Sequence, residues 1–285
     1  MSDLILRGVA GLLAGPLLGG LTSGLDRILT ARLQARQGPP LQQPYYDVVK
    51  LLAKELVVVN AWQAFCVYSH LFATVLAVVL FALQADLLLI LFTEAVGAVF
   101  LVMGAMASTS PYSQIGAHRE LLQILVYEPL LFLVAIGIYL ETGSFRLTAV
   151  FQWPVPLITQ LPLLFGVLCL VLVIKLRKSP FDLSAATHAH QELVRGLFTD
   201  FSGPLLGLIE IAHWYETVLM LAFCGLFWAG GLLPMTTLAL AAVMGVILMD
   251  NATARLNWRW LLGYGWLAGM TLSLINLIWH FRGAG

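Results

Sequence analysis

Charge is scarce in this sequence: only 11% of its 285 residues are charged, fifteen basic and fifteen acidic, so the formal net charge is zero. No overall field draws the chain to nucleic acid, and the few charges must be read by position. Cysteine is scarcer still. Cys66, Cys169 and Cys224 lie far apart, each inside an apolar run, with no C-x-x-C pair. That excludes an iron–sulfur cluster, a structural zinc site or a disulfide framework carried by this chain. No Gly-rich nucleotide loop and no haem-attachment pattern occurs, so the sequence offers no cofactor site of its own and no catalytic residue. Low-complexity segments, a long polar tail and internal repeats are also missing, and the last absence counts against a stand-alone secondary transporter. The first apolar stretch, Gly8 to Leu25, is long enough to span, and no small-residue cleavage pattern precedes a soluble mature chain, so it is expected to be a span rather than a leader.

What is abundant is apolar surface. Sixty per cent of the residues are hydrophobic and the mean hydropathy is +0.90, which excludes a water-soluble domain. Cutting at charges and turn residues leaves eight apolar runs, at 5–25, 61–83, 87–107, 121–140, 157–176, 205–228, 233–249 and 260–281. Each approaches the roughly 20 residues a helix needs to cross the hydrocarbon core. The expected fold is therefore all-α: one integral membrane domain over 1–285, a bundle of about eight transmembrane helices with cytoplasmic amphipathic loops.

Alternating the eight runs puts Arg27, Arg32, Arg36, Lys50, Lys54, Arg119, Lys175, Arg177, Lys178, Arg195, Arg255 and Arg259 on one side and only Arg7, Arg146 and Arg282 on the other. By the positive-inside rule, loops 26–60, 108–120, 177–204 and 250–259 are cytoplasmic and both termini lie outside a bacterial or archaeal plasma membrane. The long polar segments share that side, which marks it as the docking face. Gly11, Gly15, Gly19, Gly20 and Gly24 form a stripe on the first run that lets neighbouring helices approach closely.

Acids inside such runs are costly, so they face the bundle interior, stay protonated or line water. Glu94, Glu128, Glu210 and Glu216 all fall within or beside runs. Glu128 precedes Pro129, whose missing N–H disturbs the helix there and lets water approach. Glu210, His213 and Glu216 recur every third residue and so form a stripe along one helix, where an imidazole between two acids can relay protons. These five residues form the expected proton path. Glu210 with His213 also has the spacing of a di-iron carboxylate motif, but no second Glu-x-x-His exists and no metal site is expected.

The loops carry recognisable phrases: Arg36-Gln37-Gly38-Pro39, Tyr45-Tyr46-Asp47 through Lys50, Gly116-Ala117-His118-Arg119-Glu120, Pro180-Phe181-Asp182-Leu183, Glu192-Leu193-Val194-Arg195-Gly196 and Thr199-Asp200-Phe201-Ser202-Gly203. In this order they resemble the membrane subunit shared by proton-pumping NADH:quinone oxidoreductase (complex I), where it is subunit 1, and by energy-converting membrane-bound NiFe hydrogenases, formate hydrogenlyase included. The resemblance covers nearly the whole chain, and eight spans match that architecture. The phrase His188-Ala189-His190-Gln191-Glu192 looks like the hydrogenase branch of Ech and CO-dehydrogenase-linked type, and the acid typical of quinone-linked relatives falls on His213.

The resemblance implies a membrane anchor and proton-coupling subunit that links ferredoxin-driven hydrogen evolution to ion translocation. Its expected partners are hydrogenase large and small subunits, iron–sulfur subunits on the cytoplasmic side and an antiporter-like membrane subunit, with the NiFe centre and iron–sulfur clusters on those partners. Arg27, Arg32, Arg36, Asp47, Lys50, Arg119, Glu120, Asp182, His188, His190, Glu192, Arg195 and Asp200 are the expected loop-coupling and docking residues. The alternative is a quinone-binding subunit 1 of a proton-pumping NADH:quinone oxidoreductase.

Overall fold

The computed structural model of the chain describes residues 2–181, 183–185 and 195–283. Among these residues there are thirteen α-helices and no strand. In chain order they are α1 (Ser2–Ala14), α2 (Gly20–Leu33), α3 (Gln43–Leu52), α4 (Ala61–Ala82), α5 (Leu87–Met106), α6 (Pro111–Thr142), α7 (Leu147–Gln152), α8 (Leu157–Gln160), α9 (Pro162–Lys175), α10 (Gly203–Leu226), α11 (Leu232–Ala252), α12 (Trp258–Leu262) and α13 (Met270–Gly283). Seven helical stretches are long and apolar enough to cross a membrane, and α9 is a shorter apolar helix. The chain is an integral membrane helical bundle.

Boundaries differ from the sequence reading in two places. The first span continues through a π-helical segment, Gly15–Gly19, and α2 to Leu33, because nothing between Gly24 and Leu33 breaks a helix. The fourth begins at Pro111 instead of 121, since proline is tolerated in a first helical turn. Its 32 residues reach about 48 Å, well beyond a hydrocarbon core of about 30 Å. The supposed loop 108–120 is thus mostly helix.

The chain forms two compact units: 1–83, 92–121 and 182–218 make the first, and 84–91, 122–181 and 219–285 the second. In the first unit the glycine stripe works as expected. A Cβ on Gly11 would stand 2.8 Å from that of Ala82, one on Gly15 2.2 Å from the Tyr215 ring, and one on Gly19 2.4 Å from Trp214. The wide π-helical turn coincides with these last two approaches, and Pro16 within it has no N–H to contribute.

In the second unit, α9 has only 14 residues, about 21 Å of helix, yet both its ends are fixed. Beside its start, Ile158 N–H donates to Phe227 O at 2.9 Å. Beyond its finish, Lys178 Nζ meets Asp250 Oδ2 at 3.1 Å, and Leu256 N–H donates to Pro180 O at 3.0 Å. The ends of α9 and α11 therefore share one end of this unit. At the opposite end Leu87 N–H donates to Phe145 O, Leu147 N–H to Ala85 O, and His280 lies 2.8 Å from Glu141.

Candidate functional site

Helix α3 starts after the turn-forming Pro39-Pro40 pair and carries Pro44 in its first turn and Lys50 in its last, where each favours a helix end. Pro44 and Val48, one turn apart, are its buried face. Two polar contacts fasten it to the first span: Tyr45 Oη donates to Leu17 O at 2.7 Å and Arg27 Nη1 to Asp47 Oδ2 at 2.6 Å. Within α3, Gln43 Nε2 donates to Asp47 Oδ1 at 2.9 Å and holds the carboxylate in place. Partial burial raises the Asp47 carboxyl, but the hydrogen bonds from Arg27 and Gln43 and the charges of Arg27 and Lys50 outweigh it and hold the group below the ordinary carboxylate range. Burial pushes the Tyr45 phenol up. Arg32, Arg36 and Lys50 stay exposed, with Arg36 Nε donating to Gln34 Oε1 at 2.8 Å.

The third loop is seated on the N-terminal part of α6. Arg119 Nη1 donates to Leu183 O at 3.3 Å, and Leu197 N–H donates to Ser184 O at 2.9 Å. A Cβ on Gly116 would stand 2.2 Å from the Leu197 nitrogen, which gives the Gly-Ala-x-Arg-Glu phrase a physical reason: Gly116 admits the loop and Arg119 ties it. Ser108 Oγ donates to Asp200. Gly203, at φ +53, passes so close to Glu55 that a Cβ there would lie 2.7 Å from its carbonyl oxygen. Arg195 also has positive φ, 60°, and is exposed. Glu120 sits inside α6 and is buried, because the helix starts earlier than the hydropathy suggests. Asp182, His188, His190 and Glu192 lie outside the described residues.

Helix α10 meets both loops. Gly207 faces Leu51 and Leu52 of α3, and the Trp214 ring stands edge-on to Tyr45 with centroids 5.3 Å apart. Tyr215 Oη donates to Leu12 O at 2.6 Å. On the same helix His213 Nδ1 lies 3.5 Å from Glu216 Oε2, an ion pair when the imidazole is protonated. Glu216 is buried, whereas Glu210 and His213 are half-buried. Glu94 on α5 is fully enclosed. The first unit thus holds four of the five expected proton-path residues. Glu128 belongs to the second unit and is half-buried; its neighbour Tyr127 is buried, with Lys175 Nζ 4.6 Å from the ring centroid.

Several enclosed polar groups are absent from the residues expected from sequence. His70 and Gln63 are each 1% exposed on α4, and Lys175, counted from sequence only among the cytoplasmic-side cations, is 6% exposed. Their signal was available: a histidine and an amide inside an apolar run carry the same desolvation cost that singles out the acids. Among the described residues no three His, Cys, Asp or Glu side chains gather as a metal site would require. The polar loops thus pack against the helices that carry the enclosed acids.

A family model described as NADH dehydrogenase matches residues 9–281. Formate hydrogenlyase subunit 4 of Escherichia coli is 30% identical over 268 residues, 83% of this chain and 86% of that protein. A subunit of the NADH-quinone oxidoreductase of Syntrophotalea carbinolica is 27% identical over 292 residues, covering 89% and 87% respectively. A chain in the structure of the membrane-bound sulfane sulfur reductase, an archaeal respiratory membrane complex, is 25% identical with a TM-score of 0.86, covering 97% of this chain and 99% of that one.

Proposed function

The chain belongs to the NADH dehydrogenase family, as a membrane subunit of complex I-like and hydrogenase-like respiratory complexes, and we propose that it is the anchor and proton-coupling subunit of an energy-converting NiFe hydrogenase. The observation that carries the coupling role is the convergence of the two loops on α10. Tyr45, Leu51 and Leu52 from the first loop touch the helix that bears Glu210, His213 and Glu216, and Gly203 joins the third loop to Glu55. A charge change in a docked redox module would move these loops and alter where protons reside on Glu128, Glu210 and Glu216. Lifting one charge against the membrane potential costs roughly 2.3 kcal/mol per 100 mV. A few pKa units supply that much.

The hydrogenase assignment is supported by the His-Ala-His-Gln-Glu phrase, by His213 in place of the acid of quinone-linked relatives, and by the similarity to formate hydrogenlyase subunit 4. In this reading the NiFe centre and iron–sulfur clusters sit on partner subunits docked on the loop side, which faces the cytoplasm because twelve of the fifteen basic residues collect there. An antiporter-like membrane subunit would complete the pump. The similarity to the NADH-quinone oxidoreductase subunit supports a second reading, in which the space under the first and third loops takes a quinone.

One experiment separates the two. The complex is purified gently from native membranes and tested for nickel, for hydrogen evolution from reduced ferredoxin or viologen, and for quinone reduction. Nickel and hydrogen evolution are expected. A nickel-free complex that reduces quinone moves the protein to the respiratory branch.

A further inference from the structure

Asn60, the N-cap of α4, and three polar residues of the helix, Gln63, His70 and Thr74, fall on one side within about 80° of arc at 100° per residue. Gln63, His70 and Thr74 are each 1% exposed. Three contacts turn this face toward α5. Asn60 Nδ2 donates to Ala107 O at 3.0 Å, His70 Nδ1 donates to Gly97 O at 2.9 Å, and a Cβ on Gly104 would lie 3.7 Å from Gln63 O. They define one antiparallel register: 60 against 107, 63 against 104, 70 against 97. One more turn brings Thr74 level with Glu94, which is 0% exposed.

The seam therefore carries polar groups from the loop end of the first unit to an enclosed carboxyl. At its mouth, Ser108 follows the Ala107 carbonyl and hydrogen-bonds Asp200. Gln63 is the telling member. Neither Oε1 nor Nε2 of this enclosed amide has a hydrogen-bond partner among the described residues. Buried amides are rarely left so, and ordered water is the usual partner.

We propose that the α4–α5 seam is a water-assisted proton lane, in which water held by Gln63 delivers protons to His70 and His70 passes them to Glu94. It rests on the proton-coupling reading and adds a route that the loop motifs do not reveal. The Gly97 carbonyl accepts a hydrogen bond from Nδ1 and takes no proton, so the imidazole gains and loses its mobile proton at Nε2. An O–H bond of a hydronium breaks as Nε2–H forms, leaving water. Nε2–H then breaks as an O–H bond forms on the Glu94 carboxylate, directly or through a second water.

The test uses the intact complex in lipid vesicles, with reduced viologen as donor and an internal pH dye. His70→Gln keeps an N–H donor for Gly97 but cannot be protonated, and Gln63→Leu removes the water-holding amide at similar volume. Protons moved per electron should fall about tenfold or more in His70→Gln and in the same direction in Gln63→Leu, while viologen oxidation with a protonophore stays near wild type. Wild-type coupling in both variants, beside a Glu216→Gln complex that is uncoupled, overturns the lane and leaves the coupling reading standing. Wild-type coupling in all three overturns both. An independent readout needs no variant: a high-resolution map of the wild-type complex should show ordered water on the Gln63 amide, and a dry seam overturns the proposal.

Discussion

The Tyr45 ring stands edge-on to the Trp214 ring, 5.3 Å between centroids and 64° between planes. This contact joins the short loop helix α3 to α10, the helix that bears Glu210, His213 and Glu216. Tyr45 is also tied to Leu17 O, and Trp214 lies against Gly19. Movement of the loop helix is therefore felt by both the first span and the acid-bearing helix.

Trp214→Ala removes a large buried ring from this junction and should destabilise the subunit by about 3–5 kcal/mol, as such truncations do in cores. Tyr45→Phe, losing one hydrogen bond, should cost about 1 kcal/mol. Thermal unfolding of the purified complex in detergent, followed by size-exclusion chromatography, checks both. Equal stability of the Trp214 variant and wild type would contradict the junction.

Gly116→Ala places a methyl 2.2 Å from the Leu197 nitrogen, a distance that backbone cannot accommodate without moving. The third loop should lift from α6, losing the Arg119–Leu183 hydrogen bond. The expected outcome is faster proteolytic cleavage near residues 195–200 and weaker retention of partner subunits. Gly245→Ala, which meets open space, serves as the control.

Asp47 gives a pH signature outside the spans. Its carboxyl is held below the ordinary range in the folded chain, so its contribution to seating α3 is complete above the unfolded value and is lost as pH falls through the folded one. Between pH 5 and 8 the seating of α3 should not change through this group. Asp47→Asn should remove the acid-side loss and lower coupling at neutral pH. Both partners are about two-fifths exposed, so the effect on global stability should be small. A fluorophore on α3 measured across the acid range reports it.

Glu216 is enclosed and faces His213 at 3.5 Å. Glu216→Gln and Glu128→Gln should uncouple proton movement from electron flow, with a loss of about tenfold or more in protons per electron. Vesicle pumping assays with parallel viologen oxidation read this. Retained coupling in both variants removes these acids from the route.

Glu141 and His280 close one end of the second unit, 2.8 Å apart with Glu141 nearly enclosed. Replacing His280 with Phe leaves the carboxylate without this partner and should cost about 1.5–3 kcal/mol. His280→Phe with Glu141→Gln together should recover part of that loss in a double-mutant cycle. Thermal unfolding of the four proteins gives the coupling energy.

Much of this protein is legible in its sequence. The helical class, the number of spans and the close-approach role of Gly11, Gly15 and Gly19 follow from local quantities: apolar run length and residue volume. The i, i+3 stripe on α10 is equally readable, because helix geometry alone places Glu210, His213 and Glu216 together. Boundaries are less so. Pro111 reads as a breaker in a hydropathy window but opens a helix, and this moves Glu120 from an expected loop into an interior.

Tertiary structure decided what meets what. Gly203 against Glu55, Leu52 against Gly207, and Arg119 on Leu183 join residues 64 to 155 positions apart, and no local propensity encodes such pairings. The burial of Gln63 and His70 was decided in the same way. In a membrane, hydropathy says that a helix is surrounded by apolar matter but not whether a given face meets lipid or protein. Only the antiparallel register of α4 and α5 turns those two polar side chains inward and levels Thr74 with Glu94.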